Sequence, residues 1–129
     1  MNQLGISPYT TDKTQITVHE GPDGGLVVKF VGTIDHTNPG EFLDPLLDRV
    51  HTQALEHQFR QVEADITELE FLNSNGIKSV IKWVMRHMEL NERVRYGLKV
   101  TYSRKITWQQ TCLKAINHLA KGSVIAEAN

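Results

Sequence analysis

The chain has 129 residues, 40% of them hydrophobic, and its 14 lysines and arginines stand against 15 aspartates and glutamates for a formal net charge of −1. That length fits one domain, able to bury about two-thirds of its unfolded surface around a single core. The near-neutral balance argues against non-specific nucleic-acid binding, which needs a basic surface, and a lone cysteine, Cys112, excludes a disulfide framework and a paired-cysteine zinc site.

No apolar run approaches the ~20 residues that span a bilayer, and Met1 to Gln15 lacks the basic start and apolar stretch of a secretory signal. The expected location is therefore cytoplasmic, without membrane insertion. Residues 1–14 are polar, carry Pro8 and several threonines and show no period, so they read as an N-terminal tail that adds an edge strand at most. Function is not expected to depend on them. Residues 15–129 form the predicted single domain.

Ile16-Thr17-Val18-His19 and Leu26 to Val31 are rich in β-formers and flank Gly21-Pro22-Asp23-Gly24-Gly25, which supplies turn dihedrals, so a β-hairpin is predicted. No lysine and helix follow those glycines in the manner of a phosphate-cradling loop. Asn38-Pro39-Gly40-Glu41 then has a cap residue, a proline at the first helical position and a glutamate three residues after the cap. Phe42, Leu43, Leu46, Leu47, Val50, Ala54 and Leu55 repeat at helical steps from there. Pro45 removes an interior hydrogen bond, which predicts a kink or a restart capped by Asp44. Gln61 to Ile66 is the next strand, with Val62, Ala64 and Ile66 on one face.

Ile77, Val80, Ile81, Val84, Met85 and Met88 form a helical stripe that ends near Asn91, read as a left-handed cap. Val94, Tyr96, Leu98 and Val100 alternate as a half-buried strand. Thr107-Trp108-Gln109-Gln110 has capping-box spacing, and Trp108, Cys112, Leu113, Ile116, Leu119 and Ala120 continue a helix that Gly122 can end. The order β-β-α-β-α-β-α predicts an α/β fold with a mixed, mostly parallel sheet and helices packed against it.

The most informative segment is Phe71-Leu72-Asn73-Ser74-Asn75-Gly76, read as the loop between the third strand and the second helix. Asn73 or Ser74 can cap that helix by accepting from its unpaired amides, and Gly76 allows a close turn. A phosphate on Ser74 would meet the same amides and the positive end of the helix dipole. Lys78, Lys82 and Arg86 recur every four residues opposite the apolar stripe, either as a solvated face or as a docking stripe for an acidic partner, and Lys78 is placed to pair with a phosphate. Asp35 reads equally as a turn former and as part of a partner surface. His19, His36, His51, His57, His87 and His118 fall on different elements without ligand spacing, so no metal is expected. Asn73-Ser74-Asn75 lacks the glycines of a nucleophile elbow, and no catalytic residue or cofactor is assigned.

Three short motifs in order resemble the STAS domains, the anti-sigma-factor-antagonist family. The segment Phe71 to Gly76 is similar to the family's loop, in which a hydrophobic pair precedes Asp-Ser-Ser-Gly or Asp-Ser-x-Gly and the first serine is phosphorylated. Val31-Gly32-Thr33-Ile34-Asp35 resembles the pattern after its second strand, and Asp65-Ile66-Thr67-Glu68-Leu69 the approach to its phosphorylation loop. The resemblance runs from about Gln15 to Lys121. It implies a bacterial, non-enzymatic partner-switching protein with phosphorylation at Ser74. The surface around Asp35, Asn73, Ser74, Asn75, Gly76, Lys78, Lys82 and Arg86 would bind a protein, typically an anti-sigma serine kinase, with a serine phosphatase as the counterpart. Asn73 stands where the family has Asp, and Asn75 where it has a second Ser. The alternatives are a constitutive adaptor of the same fold, with Ser74 as a helix cap, and a ligand-sensing domain with a small pocket at the loop end of the sheet.

Overall fold

The computed structural model describes residues 8–21, 24–120 and 124–128. Pro22 and Asp23 of the expected turn and Gly122, the expected helix end, lie outside them. Along the chain run β1 (Tyr9–Thr10), β2 (Thr14–Glu20), β3 (Leu26–Ile34), α1 (Gly40–Glu56), β4 (Gln61–Leu72), α2 (Ser74–Met88), β5 (Gly97–Tyr102), α3 (Thr107–Ala120) and β6 (Val124–Ala128). One six-stranded sheet holds the strands in sequence order, antiparallel from β1 to β3 and parallel from β3 to β6. Three successive crossovers join neighbouring parallel strands in one direction, and the right-handed preference of such connections brings their helices to one face. Alternation in the strands agrees. Ile16, Val18, Leu26, Val28, Phe30, Leu98 and Val100 are buried beneath the helices, while the other face is half-exposed and laced with Lys29–Glu68 and Lys99–Glu127 ion pairs.

Several expectations need correction. The edge strand allowed for in the tail is β1, Tyr9–Thr10, but β2 opens one residue earlier than the expected domain, at Thr14, which is buried and bonds the Thr33 carbonyl. β6 closes the sheet beyond the last expected helix. α1 runs through Pro45 without restarting at Asp44, and it begins after Pro39, with no side chain capping it, while Asn38 bonds the Glu41 side chain. α2 ends at Met88 with Glu89 in a right-handed conformation, so Asn91 is no left-handed cap. Val94 is an exposed turn residue, leaving β5 to start at Gly97.

β4 departs furthest from expectation, twice as long as the segment its alternation revealed. Its register against β3 slips between Lys29 and Val31 and again between Gly32 and Thr33, so β4 carries an extra residue at each place. Inward positions therefore run Val62, Ala64, Ile66 and then Leu69 and Leu72, in steps of three. The carbonyls turned out of the ladder are met by α3. Buried Gln109 donates its side-chain amide to Ile66 O at 2.5 Å and Leu69 O at 2.8 Å, and Trp108 Nε1 donates to Glu70 O at 2.7 Å. β4 is thereby carried to Leu72, one residue short of α2.

The buried side of α2 is Gly76, Ser79, Trp83, Val84 and His87. Ile77, Val80, Ile81 and Met88 only flank it, and Met85 is exposed. The expected stripe is thus rotated by about one residue.

Candidate functional site

Because β4 extends to Leu72, Phe71 and Leu72 belong to the strand, Ser74 to Gly76 are the first residues of α2, and Asn73 alone joins the two elements. Asn73 is extended and caps the helix, its Oδ1 accepting from Gly76 N at 2.9 Å. Its backbone amide donates to Ile34 O at 3.0 Å, and its Nδ2 donates to His36 O at 2.7 Å. One side chain therefore starts α2 and holds the β3–α1 connection beside it. Asn75 adds a second link, Nδ2 to Thr37 O at 3.4 Å.

Both asparagines that depart from the STAS-like motif are amide donors to main-chain carbonyls. An aspartate at position 73 could cap the helix but would turn a carboxylate oxygen towards the His36 carbonyl. Asn73→Ala is expected to cost about 1–3 kcal/mol, from the lost cap and the unpaired carbonyl. Asn73→Asp should cost less, since it keeps the cap and gains the helix dipole. Urea titration of the three proteins checks this; equal losses for both variants would show that the cap contributes nothing.

Ser74 is exposed, and its hydroxyl has no hydrogen-bond partner among the described residues. The amides of Ser74 and Asn75, first in the helix, have no intrahelical acceptor. Gly76 packs closely on the strand end, where a larger residue would oblige the Leu72 side chain to move. A Cβ there would lie closer to Leu72 Cδ1 than the 3.0 Å that real Cβ atoms essentially never breach. Its expected role in a turn is replaced by close packing of the helix start on the strand end.

Asp35 lies next to Ile34 on the same surface and is ion-paired to Lys13. The Lys13 ammonium, hydrogen-bonded to it, holds the Asp35 carboxyl below the usual carboxylate range. Residues before β2 thus reach the site. Tyr9 stacks on Phe42 with centroids 3.9 Å apart, and His36 meets both edge-on. Nothing in the sequence period pointed to this aromatic cluster, because its members sit on three elements.

The expected basic stripe does not stand free. Lys82 Nζ lies 3.2 Å from Asp44 Oδ2, and Arg86 is paired with Asp48, so two of its three charges bridge α2 to α1. Those four residues rim a cleft of about 210 Å³ between the helices. Lys78 is exposed and has no ion-pair partner among the described residues. Cys112 is half-buried, and burial pushes its thiol up. Among the described residues no three His, Cys, Asp or Glu side chains are grouped for a metal ion, and no helix is long and apolar enough to cross a membrane.

No protein-family model matches the chain, and no curated protein is a significant match. Solved structures do match. An anti-sigma factor antagonist from Mycobacterium paratuberculosis shares 20% identity at a TM-score of 0.59, over 90% of this chain and 88% of that one. A chain in the complex of the diguanylate cyclase SiaD with its activator SiaC from Pseudomonas aeruginosa shares 16% identity at 0.69, over 95% and 99%. A protein of the DUF3478 family with a SpoIIAA-like fold from Shewanella loihica shares 20% at 0.53, over 95% and 90%. The chain has the STAS-like fold that its motifs resemble.

Proposed function

We propose that the chain is a non-enzymatic partner-switching module that binds a protein through the surface around the start of α2 and releases it when Ser74 is phosphorylated. One observation carries the reading: Ser74 presents a hydroxyl with no partner among the described residues, at the first position of a helix that Asn73 caps without it. A phosphate there would add about −1.5 to −2 charge beside two free amides and one turn from Lys78, so the helix could accept it without unfolding. Asp35, Asn73, Asn75, Gly76 and Lys78 complete the proposed contact surface, joined by the Tyr9, His36 and Phe42 cluster. Lys82 and Arg86 take a smaller part, since Asp44 and Asp48 already neutralise them.

Two neighbours of the same fold are named for acting with other proteins, one as an anti-sigma factor antagonist and one in the complex of a cyclase with its activator. By that likeness the partner is a regulatory protein of the bacterial cytoplasm, in the first instance an anti-sigma-type serine kinase opposed by a serine phosphatase. A switch of this kind needs about 1–3 kcal/mol of coupling, a change of roughly 5- to 150-fold in affinity.

Intact-mass measurement and peptide mapping of the protein from its own cells should find one phosphate, on Ser74. Calorimetric titration against the co-purified partner should then show Ser74→Asp weakening binding at least about fivefold, with unchanged thermal stability. Phosphate on another residue alone, or unchanged affinity, would sink the switch. A constitutive adaptor is favoured by a different observation, that Asn73 and Asn75 spend their amides inside the fold, and it predicts indifference to Ser74→Asp.

A further inference from the structure

The two edges of the sheet are built differently. At one, β1 is two residues long and its Tyr9 is stacked on Phe42, a short edge that offers little to another strand. At the other, β6 pairs with β5 through all five of its residues, and among the described residues no strand pairs its outer side. Every second residue there turns its amide and carbonyl away from the sheet. Proteins ordinarily blunt such an edge with proline, lysine or a bulge. Val124–Ala128 has no proline and no lysine, and its register with β5 is unbroken. Ile125 leaves 60% of its surface in solvent, in register with Lys99.

The strand is also complementary to itself. An antiparallel strand of the same sequence, related by a two-fold axis through Ala126 and normal to the sheet, opposes Val124 to Ala128, Ile125 to Glu127 and Ala126 to its own copy. That is the one symmetric register in which all five residues pair. No like charges meet in it. Glu127, the only charge in the strand, faces Ile125 of the other copy, in the row that continues to that copy's Lys99. Lys99 already reaches along the open face to Glu127 of its own chain, 3.5 Å away, so each carboxylate would lie between two ammoniums. The crossover from β5 to β6 sets α3 over those two strands. The two copies of α3 would therefore run about two strand spacings apart, ~10 Å, and meet at packing distance rather than overlap.

We propose that β6 is an interface for a second copy of this chain, joining two sheets edge to edge into one that carries all its helices on the same face. The two-fold axis runs the strands of the copies in opposite directions. The two Ser74 surfaces therefore fall at opposite ends of the doubled sheet, and neither covers the other. The dimer presents both at once, whatever binds there. One strand pair and its flanks make a small interface, so the association is reversible.

Sedimentation velocity of the full chain from micromolar to millimolar concentration should show the mass rising towards two chains and no further. In hydrogen exchange, the alternate amides of β6 that do not donate to β5 should be protected only at the concentrated end. Ile125→Glu sets a carboxylate opposite Glu127 at two symmetric places and should weaken dimerisation at least about tenfold. Adding Glu127→Lys turns both oppositions into opposite-charge pairs and should restore it. Both side chains are exposed, so the melting temperature of the dilute monomer should change little. A monomer at every concentration, or growth past two chains, overturns the proposal. Undiminished dimerisation of Ile125→Glu places the contact elsewhere and overturns the assignment to β6, and failure of the double variant to recover overturns the register about Ala126.

Discussion

Gly32→Ala is expected to cost about 4 kcal/mol or more, or to leave no folded protein, whereas Gly24→Ala should cost about 1 kcal/mol. Both glycines have positive φ, +97° and +76°. At Gly24 an added Cβ meets nothing within 4 Å among the described residues, which leaves backbone strain as the cost. At Gly32 the Cβ would fall on the Lys13 carbonyl oxygen, inside the 3.0 Å limit. That carbonyl accepts from Thr33 N at 2.9 Å, so the clash lies on main chain that cannot swing aside without parting β2 from β3. Parting them would also move Lys13 from Asp35, three residues after Gly32. Urea unfolding followed by circular dichroism gives both values; a Gly32→Ala loss within about 1 kcal/mol of the Gly24→Ala loss would show that β2 yields freely.

The elements with a clean period were legible from sequence. β2, β3 and the body of α1 follow from alternation and helical spacing, and the parallel order follows from their sequence of types. β4 was cut short because each register slip adds a residue and breaks the period of two at Ile66. The stabilising partners of that bulge are on α3, about forty residues later, and a glutamine at helical spacing carries no sign that it will satisfy strand carbonyls. α2 was rotated by one position for a related reason. Its buried side includes Ser79 and His87, which count as polar in any pattern, while exposed Met85 counts as apolar.

Of the candidate site, Asn73, Ser74, Asn75 and Gly76 were brought together by their adjacency in the chain, and Asp35 joins them through the parallel pairing of β3 with β4. The cap was legible only as a choice between Asn73 and Ser74; the geometry gives it to Asn73 and leaves the Ser74 hydroxyl without a partner among the described residues. Pairing of Lys82 and Arg86 with Asp44 and Asp48 was hidden because Asp44 was read only as a possible helix cap and Asp48 carried no signal of its own. Facing helices turn two i, i+4 patterns into one ladder, which a reading of each helix by itself does not show. Tyr9, Lys13 and His36 were missed because their contacts are made across elements.

Tyr96→Phe is expected to cost about 2–6 kcal/mol although it removes a single oxygen. That hydroxyl accepts from Trp83 Nε1 at 2.9 Å and lies 2.7 Å from His51 Nδ1, to which it donates when both contacts are satisfied. Its loss leaves two buried groups unpaired, at about 1–3 kcal/mol each. The same cluster, which ties α1 and α2 to the start of β5, sets a pH dependence. Burial holds both His51 and His87 below the usual histidine range, with Arg86 and His87 adding to the effect at His51 and Arg95 at His87, against opposing contributions from Asp48 and the Tyr96 carbonyl. His87 Nε2 donates to that carbonyl at 2.5 Å, so its buried Nδ1 is unprotonated and has no partner to receive a second proton's hydrogen bond. As pH falls below about 6.5 the unfolded chain takes up these protons first, so stability should be level above that point and decline towards pH 5. The loss from Asp35, whose carboxyl is held low, belongs to a more acid range. Urea unfolding at several pH values gives the slope, and imidazole proton resonances report the folded-state titration directly. Midpoints for His51 and His87 at or above 6.5, or stability that rises on acidification through this range, would overturn the assignment of both side chains as buried neutral histidines.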